Sequence, residues 1–217
     1  MTTRRPQPQS HGDYSPIAST GYGQTILFAL MSETLDELEI KKRTIGVSSS
    51  TILYTLYDFV DVDFASALSG QAPAVAAGIK HAHPTRTVFS FQLASEVAGQ
   101  GMGLLFSTLE RQDPITMIFA DEVDPGRTAT LPAILGKQTK VQVDLIRLDS
   151  VASLERVKAA LSLALTRPLK TNQPHVLQVV TRCPTTWKIS HSRAQKLISA
   201  AQQREAIGVL AAGGKHS

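Results

Sequence analysis

The segment that most constrains the fold of this chain is a nearly unbroken apolar run at residues 115–120, Ile-Thr-Met-Ile-Phe-Ala. A strand without alternating polar side chains is buried on both faces, which is typical of parallel sheets covered by helices. Other stretches of strand-like composition occupy residues 44–47, 87–91, 141–148 and 176–180. Stretches of helical periodicity occupy residues 24–42, 72–80, 101–111 and 154–166. The alternation predicts an α/β fold with a mostly parallel sheet and helices on both faces.

The composition argues against several classes of function. The formal net charge is +4, the basic residues are scattered and aromatic residues make up 6%, so the basic, aromatic surface of a nucleic-acid-binding protein is not indicated. Cys183 is the only cysteine, which excludes an intramolecular disulfide and a cysteine-only metal site within one chain. No apolar run is long enough to cross a bilayer, and no hydrophobic leader is evident. We therefore expect a cytoplasmic protein that binds neither nucleic acid nor membrane.

The 217 residues fit one domain with a substantial core. Residues 1–13 are polar and contain two prolines, and they are predicted to form a disordered tail. Residues 14–205 are predicted to form a single domain, and residues 206–217 a flexible tail. In a sheet of the predicted kind, ligands bind beyond the carboxyl ends of the strands. Those ends correspond here to residues 48–50, three serines predicted to form a turn, and to residues 92–96 and 121–128.

Five short segments follow one another in the order typical of a known enzyme family. Residues 57–64 (YDFVDVDF), 70–80 (GQAPAVAAGIK) and 87–92 (TVFSFQ) come first. Residues 136–139 (GKQT) and 183–187 (CPTTW) follow. Together they resemble the β subunit of 2-oxoacid:ferredoxin oxidoreductases, whose corresponding motifs include Gly-Gln-Lys-Thr and Cys-Pro-Thr-Asn-Trp. The resemblance implies that residues 14–205 adopt a thiamine diphosphate-binding fold.

The resemblance implies a chemistry whose metal anchor is missing from this chain. The family decarboxylates 2-oxoacids oxidatively on thiamine diphosphate, and Mg²⁺, which prefers oxygen ligands in octahedral geometry, ties the diphosphate to the protein. The aspartate of the family's Gly-Asp-Gly motif corresponds to Ala94, between Leu93 and Ser95. A methyl group cannot bind Mg²⁺. We therefore expect no cofactor, and bound thiamine diphosphate with Mg²⁺ is the alternative.

Other positions of the family's cofactor site are partly retained. The family's His-Gly-Arg becomes Ser69-Gly70-Gln71, and Thr128 alone is kept from the loop that wraps the cofactor. Glu96 corresponds to the last aspartate of the family's Gly-Asp-Gly-Asp motif. The resemblance thus implies a vestigial thiamine diphosphate site at Ser69, Gly70, Glu96 and Thr128.

A pair of asparagines on the metal side of the family's site corresponds to Asp121 and Glu122. Two interpretations are open. In one, Glu96, Asp121 and Glu122 form a rebuilt carboxylate site for a metal. In the other, which we favour, they are solvated acids at strand ends, and without a metal they repel a diphosphate. Asp121 and Glu122 are then a vestigial magnesium site.

The ligands of the family's iron–sulfur cluster are also reduced. Four cysteine thiolates hold that cluster in the family. The first two ligand positions fall within residues 15–23, which contain no cysteine, and the third is Ser49. Only Cys183 remains, at the fourth position. We predict that no iron–sulfur cluster is present.

These losses favour a catalytically degenerate β-like subunit with a structural or regulatory role, and no residue is assigned a catalytic role. Its expected partner is an α-type subunit of a 2-oxoacid oxidoreductase or a second copy of itself. Two alternatives stay open. One is an active thiamine diphosphate-dependent subunit with the rebuilt metal site, and the other is a small-molecule sensor that uses the vacated cleft.

Overall fold

The computed structural model describes residues 23–121, 131–135, 141–148 and 153–181. The predicted tails at residues 1–13 and 206–217 lie outside this part of the chain, and so do the motif segments 136–139 and 183–187. The candidate site residues Glu122, Thr128 and Cys183 lie outside it too. The predicted limits of the domain, residues 14–205, therefore stay a prediction.

Six strands form one sheet within the described residues. They are β1 (Thr44–Ser49), β2 (Asp63–Ala67), β3 (Thr87–Leu93), β4 (Thr116–Asp121), β5 (Gln142–Leu148) and β6 (His175–Thr181). Their order across the sheet is β2-β1-β3-β4-β6-β5, and every neighbouring pair is parallel. Parallel neighbours need crossover connections, and helices supply most of them. The predicted parallel α/β fold is confirmed.

Helices cover both faces of this sheet. They are α1 (Gly23–Glu37), α2 (Ser50–Phe59), α3 (Ala72–Ala82), α4 (Ala94–Glu96), α5 (Met102–Glu110), α6 (Leu131–Leu135) and α7 (Leu154–Thr171). One π-helical turn, Val97–Gly101, joins α4 to α5. Residues of α1, α2 and α7 share one apolar cluster with the sheet, and residues of α3, α5 and α6 share the other.

Alternation along the strands divides the sheet side chains between the two clusters. In β3, Phe89 and Phe91 belong to the cluster with α1, whereas Val88 belongs to the cluster with α3 and α5. The ring of Phe91 meets that of Phe28, on α1, edge-on at a centroid distance of 5.1 Å. Each fully buried phenylalanine stabilises the fold by about 1.5–3 kcal/mol. Membership in one cluster or the other thus shows to which face of the sheet each side chain points.

The five predicted strands and four predicted helices are all present, with shifted ends. The first helix ends at Glu37 rather than at residue 42, because Glu39 has a left-handed backbone conformation, with a φ of 54°, that cannot continue the helix. Three helices, α2, α4 and α6, and one strand, β2, were not predicted. The predicted turn at residues 48–50 was wrong, since Ser48 and Ser49 complete β1 and Ser50 begins α2. No described helix combines the length and apolar character needed to span a membrane.

Candidate functional site

The carboxyl ends of β1, β3 and β4 lie side by side, because these strands are parallel and adjacent. The register pairs Leu93 of β3 with Ala120 of β4. Ala94 follows Leu93, and Asp121 follows Ala120. The position that the resemblance matches to the family's metal-binding aspartate is thus next to the first residue of the segment that it matches to the asparagine pair. The sequence indicated that both positions lie at the carboxyl ends of strands, and the structure places them beside each other.

Asp121 is buried, with 2% of its surface exposed, and its carboxylate has a specific partner. Nε2 of Gln178, on β6, donates a hydrogen bond of 2.9 Å to Oδ2 of Asp121. Oε1 of Gln178 in turn accepts a hydrogen bond of 2.8 Å from the backbone N–H of Leu131, at the start of α6. The expectation that Asp121 is a solvated acid is therefore wrong, because its oxygen is held by an amide in the protein interior.

Glu96 is half-buried, and its carboxylate also serves the protein itself. Oε2 of Glu96 accepts hydrogen bonds of 3.0 Å from the hydroxyl of Ser49 and of 3.0 Å from the backbone N–H of Leu93. Leu93 is the N-cap residue of α4, so Glu96 reaches back to the N-cap amide as the glutamate of a capping box does. Glu96 therefore closes the turn between β3 and α4. The expectation of a solvated acid is wrong here as well.

Gly70 is fixed by close packing of two backbones. Its φ is 78°, a left-handed conformation that favours glycine. A Cβ atom built on Gly70 would lie 2.7 Å from the backbone nitrogen of Gly101 and 3.0 Å from the carbonyl oxygen of Glu96. The turn that carries Ser69 and Gly70 is thus held against the π-helical turn. A structural requirement explains Gly70 without any cofactor.

Two buried polar side chains at this edge were missed by the sequence analysis. Gln92 and Ser90 alternate on β3 on the face that carries α3 and α5, and both are fully buried. Both amide atoms of Gln92 and the hydroxyl of Ser90 lack a hydrogen-bond partner within the described part of the chain. An unpaired buried polar group costs about 1–3 kcal/mol. The only sequence signal for Gln92 and Ser90 was their polar character within a buried strand.

The described residues do not fit the metal that the family resemblance implies. Ala94 offers a methyl group, Oδ2 of Asp121 is occupied by an amide nitrogen, and Oε2 of Glu96 accepts two hydrogen bonds. No group of three histidine, cysteine, aspartate or glutamate side chains in the described ranges could hold a metal ion. Ser69 and Gln71, which the resemblance matches to the family's histidine and arginine, add no positive charge for a diphosphate. The structure therefore brings Gly70, Glu96 and Asp121 to the carboxyl end of the sheet, where the described residues are poorly suited to Mg²⁺ and diphosphate.

The titratable groups with shifted pKa values lie elsewhere. Burial lowers the pKa of Lys80, whose Nζ donates to the carbonyl oxygens of Pro84 and Arg86 at 2.8 and 2.7 Å. Burial also lowers the pKa of His175, and the charge of Asp144 offsets only part of that shift. The pKa of Lys158 is raised: burial lowers it, and the pairing with Glu37 and Glu33 outweighs that effect. Lys80 lies on α3, His175 at the start of β6 and Lys158 on α7, away from the strand ends that carry the candidate site.

Comparisons with known proteins support the family resemblance. No protein-family model matches the chain. It is 22% identical over 227 residues to the ketoisovalerate oxidoreductase subunit VorA of Methanothermobacter marburgensis, an alignment covering 89% of this chain and 48% of VorA. The chain thus spans about half the length of that relative. The resemblance to 2-oxoacid:ferredoxin oxidoreductases is confirmed, whereas the correspondence to one subunit stays a prediction.

Solved structures share the fold, and two of them are named here. One is the 2-oxoglutarate:ferredoxin oxidoreductase of Magnetococcus marinus, with a TM-score of 0.65, 16% identity, and coverage of 82% of this chain and 66% of that chain. The other is the thiamine diphosphate-dependent 4-hydroxybenzoylformate decarboxylase of Rhodococcus jostii RHA1, with a TM-score of 0.50, 20% identity, and coverage of 83% and 37%. At these identities the likeness shows the fold alone. The fold is therefore of the thiamine diphosphate-binding type, as the sequence implied.

Proposed function

We propose that this chain is a β-like relative of 2-oxoacid:ferredoxin oxidoreductase subunits that has lost cofactor chemistry and serves a structural or regulatory role in an assembly. The observation that carries the proposal is the pair Ala94 and Asp121. The metal anchor is replaced by a methyl group, and the neighbouring carboxylate is hydrogen-bonded to Gln178. We further propose a cytoplasmic location.

The expected loss of cofactor affinity is large. Charge-assisted hydrogen bonds contribute about 1.5–3 kcal/mol each. The family's aspartate, histidine and arginine are replaced by Ala94, Ser69 and Gln71. Losing two or three such contacts lowers affinity by roughly two to six orders of magnitude, since about 1.4 kcal/mol is tenfold. Thiamine diphosphate with Mg²⁺ is therefore expected to bind weakly or not at all.

A partner chain is supported by apolar side chains at the edge of the sheet. Tyr57 is 57% exposed and Leu68 is 67% exposed, and these residues lie on either side of the edge strand β2 in the sequence. The ring of Tyr57 contacts that of Phe64 on β2, with a centroid distance of 5.2 Å, and exposed apolar groups beside an edge strand offer a surface for a partner to cover. The relative VorA is itself named as a subunit. We propose an α-type subunit as the partner, with self-association as the alternative.

A second candidate function, the small-molecule sensor, is favoured by the unpaired atoms of Gln92 and Ser90. A ligand with both a donor and an acceptor would satisfy the carboxamide of Gln92. The active thiamine enzyme has less support, because both described carboxylates of its rebuilt metal site, Glu96 and Asp121, already accept hydrogen bonds.

Calorimetry with MgCl₂ and thiamine diphosphate tests the loss of cofactor binding. The unaltered chain should give no binding heat, and the variant Leu93→Gly/Ala94→Asp/Ser95→Gly should recover part of it. The double variant Leu93→Gly/Ser95→Gly is the matched control, since it opens the backbone without adding the carboxylate. Tight binding by the unaltered chain that Glu122→Gln abolishes would establish the active enzyme instead.

Co-expression with an α-type chain from the same source tests the assembly. The two chains should purify together, and Leu68→Glu should weaken the complex because it places a charge on the exposed edge. Leu163→Glu, at another exposed leucine on α7, should leave it intact. A chain that is monomeric by light scattering and does not bind the α-type chain would contradict the proposal.

A further inference from the structure

We propose that Gln178 is a positioning residue that takes the place of a metal ion at the carboxyl end of β4. Its carboxamide joins the carboxylate of Asp121 to the first amide of α6 in a buried, metal-independent bridge. The inference rests on the proposed loss of the metal site and adds what has replaced it. It concerns the end of β4, the start of α6 and the strand β6 that lies beside β4.

Gln178 is placed by the sheet itself. The register pairs it with Phe119 of β4, so its side chain emerges on the face that carries Phe119 and α6. Its side chain is fully buried, while Asp121 and Leu131 are each 2% exposed. Nε2 lies 2.9 Å from Oδ2 of Asp121, and Oε1 lies 2.8 Å from the amide nitrogen of Leu131. The bridge therefore spans two elements with solvent excluded from both of its ends.

The orientation of the carboxamide follows from its partners. The backbone N–H of Leu131 only donates, and an ionised carboxylate only accepts. Gln178 can satisfy both only with its oxygen toward Leu131 and its nitrogen toward Asp121. That orientation puts an N–H₂ group, which cannot coordinate a cation, on Oδ2 of Asp121. Mg²⁺ needs oxygen ligands at about 2.0–2.1 Å in octahedral geometry, and the amide occupies one of the directions from which it would be reached.

A buried carboxylate needs compensation from a cation or from hydrogen bonds. In this chain Gln178 supplies one such hydrogen bond with no net charge of its own. Replacing its amide nitrogen by oxygen, in Gln178→Glu, keeps the side-chain shape but sets a second carboxylate against Asp121. Two adjacent buried carboxylates repel each other unless a cation lies between them. The substitution should therefore convert a metal-independent bridge into a metal-dependent one.

The test is thermal unfolding of the full chain in saturating MgCl₂ and in excess EDTA, without thiamine diphosphate. The unaltered chain should have the same Tm in both. Gln178→Glu should have a lower Tm in EDTA and regain part of it in MgCl₂. Gln173→Glu, the same charge change at an exposed position before β6, should respond to neither. The proposal would be overturned if MgCl₂ raised the Tm of the unaltered chain by more than it raises that of the Gln173→Glu control. It would also be overturned if Gln178→Glu were as stable in EDTA as the unaltered chain.

Hydrogen exchange gives a second readout if Gln178→Glu does not fold. The amide of Leu131 should be protected in the unaltered chain, and Gln178→Leu should speed its exchange by roughly 2- to 12-fold, the factor for a net hydrogen bond of about 0.5–1.5 kcal/mol. Unchanged exchange at Leu131 would contradict the bridge. This outcome is separate from the proposed loss of cofactor function, which fails only if thiamine diphosphate with Mg²⁺ binds tightly.

Discussion

Gly70 and Gly101 pack backbone against backbone, so closely that a Cβ atom on Gly101 would lie 2.3 Å from the carbonyl oxygen of Gly70. Neither backbone can yield easily, since Gly70 sits at a φ of 78° ahead of α3 and Gly101 ends the π-helical turn. We expect Gly101→Ala to lower the free energy of unfolding by about 1–3 kcal/mol, the usual effect of forcing extra volume into a packed site. Urea unfolding measures it.

Gly103 provides the matched control. It lies two residues further along in α5, it is exposed, and a Cβ atom there would have no neighbour within 4 Å. Gly103→Ala should leave stability unchanged or raise it by up to about 1 kcal/mol, because alanine is the better helix former. Equal effects of the two substitutions would show that the contact between Gly70 and Gly101 does not constrain the turn.

Gln92→Met should stabilise the protein. The substitution keeps side-chain length while removing a buried donor and acceptor that have no partner in the described residues. We expect the free energy of unfolding to rise by about 1–3 kcal/mol. Gln178→Met is the control: this glutamine is also fully buried but bonded at both ends, so the same change should be destabilising. A loss of stability in Gln92→Met would mean that a water or ligand pairs with Gln92, and would favour the sensor.

His175 should make the fold sensitive to acid. Its side chain is fully buried at the start of β6, with Nε2 3.0 Å from Oδ2 of Asp144. Burial lowers its pKa, Asp144 raises it in part and Arg167 lowers it further. The unfolded chain therefore binds the proton more readily. The contribution to stability is complete above the unfolded pKa of about 6.5, is lost as the pH falls through that value, and levels off below the folded pKa.

The pH dependence can be isolated by substitution. Urea unfolding at about pH 7.5 and about pH 5, on either side of the unfolded histidine pKa, should show a smaller acid loss for His175→Gln than for the unaltered chain. His83→Gln, at an exposed histidine, should follow the unaltered chain. Asp144→Asn should deepen the acid loss because it removes the charge that raises the pKa of His175. Identical pH profiles for His175→Gln and the unaltered chain would exclude this histidine as the cause.

The buried strands and the edge strand β5 were predictable, whereas the edge strand β2 was not. β4 and β6 are covered on both faces, so their apolar runs identify them without knowledge of their neighbours. β2 lies at the sheet edge with exposed Asp63 and Ser66, which leaves no apolar pattern. α2 begins directly after Ser49, so three consecutive serines were interpreted as a turn when they continue a strand into a helix.

The partners of the site residues depend on strand order, which local patterns do not reveal. Gln178 reaches Asp121 from 57 residues away because β6 inserts beside β4. Ser49 meets Glu96 from 47 residues away because β1 and β3 are neighbours. The sequence therefore identified Asp121 and Glu96 as residues at strand ends but left their charges in solvent, since their side-chain partners Gln178 and Ser49 are distant in the chain.

The position of β6 between β4 and β5 also sets the order in which the molecule can be assembled. Because the ribosome delivers the chain from its amino terminus, β5 emerges before the strand that connects it to the rest of the sheet. Until residues 175–181 are made, the backbone N–H and C=O groups along one edge of β4 have no strand partner. No hairpin can cover them in the meantime, because every pairing in the described sheet is parallel. Such unpaired edges promote aggregation during synthesis. A nascent chain stalled before β6 should therefore bind a holdase chaperone that a chain released after β6 no longer needs.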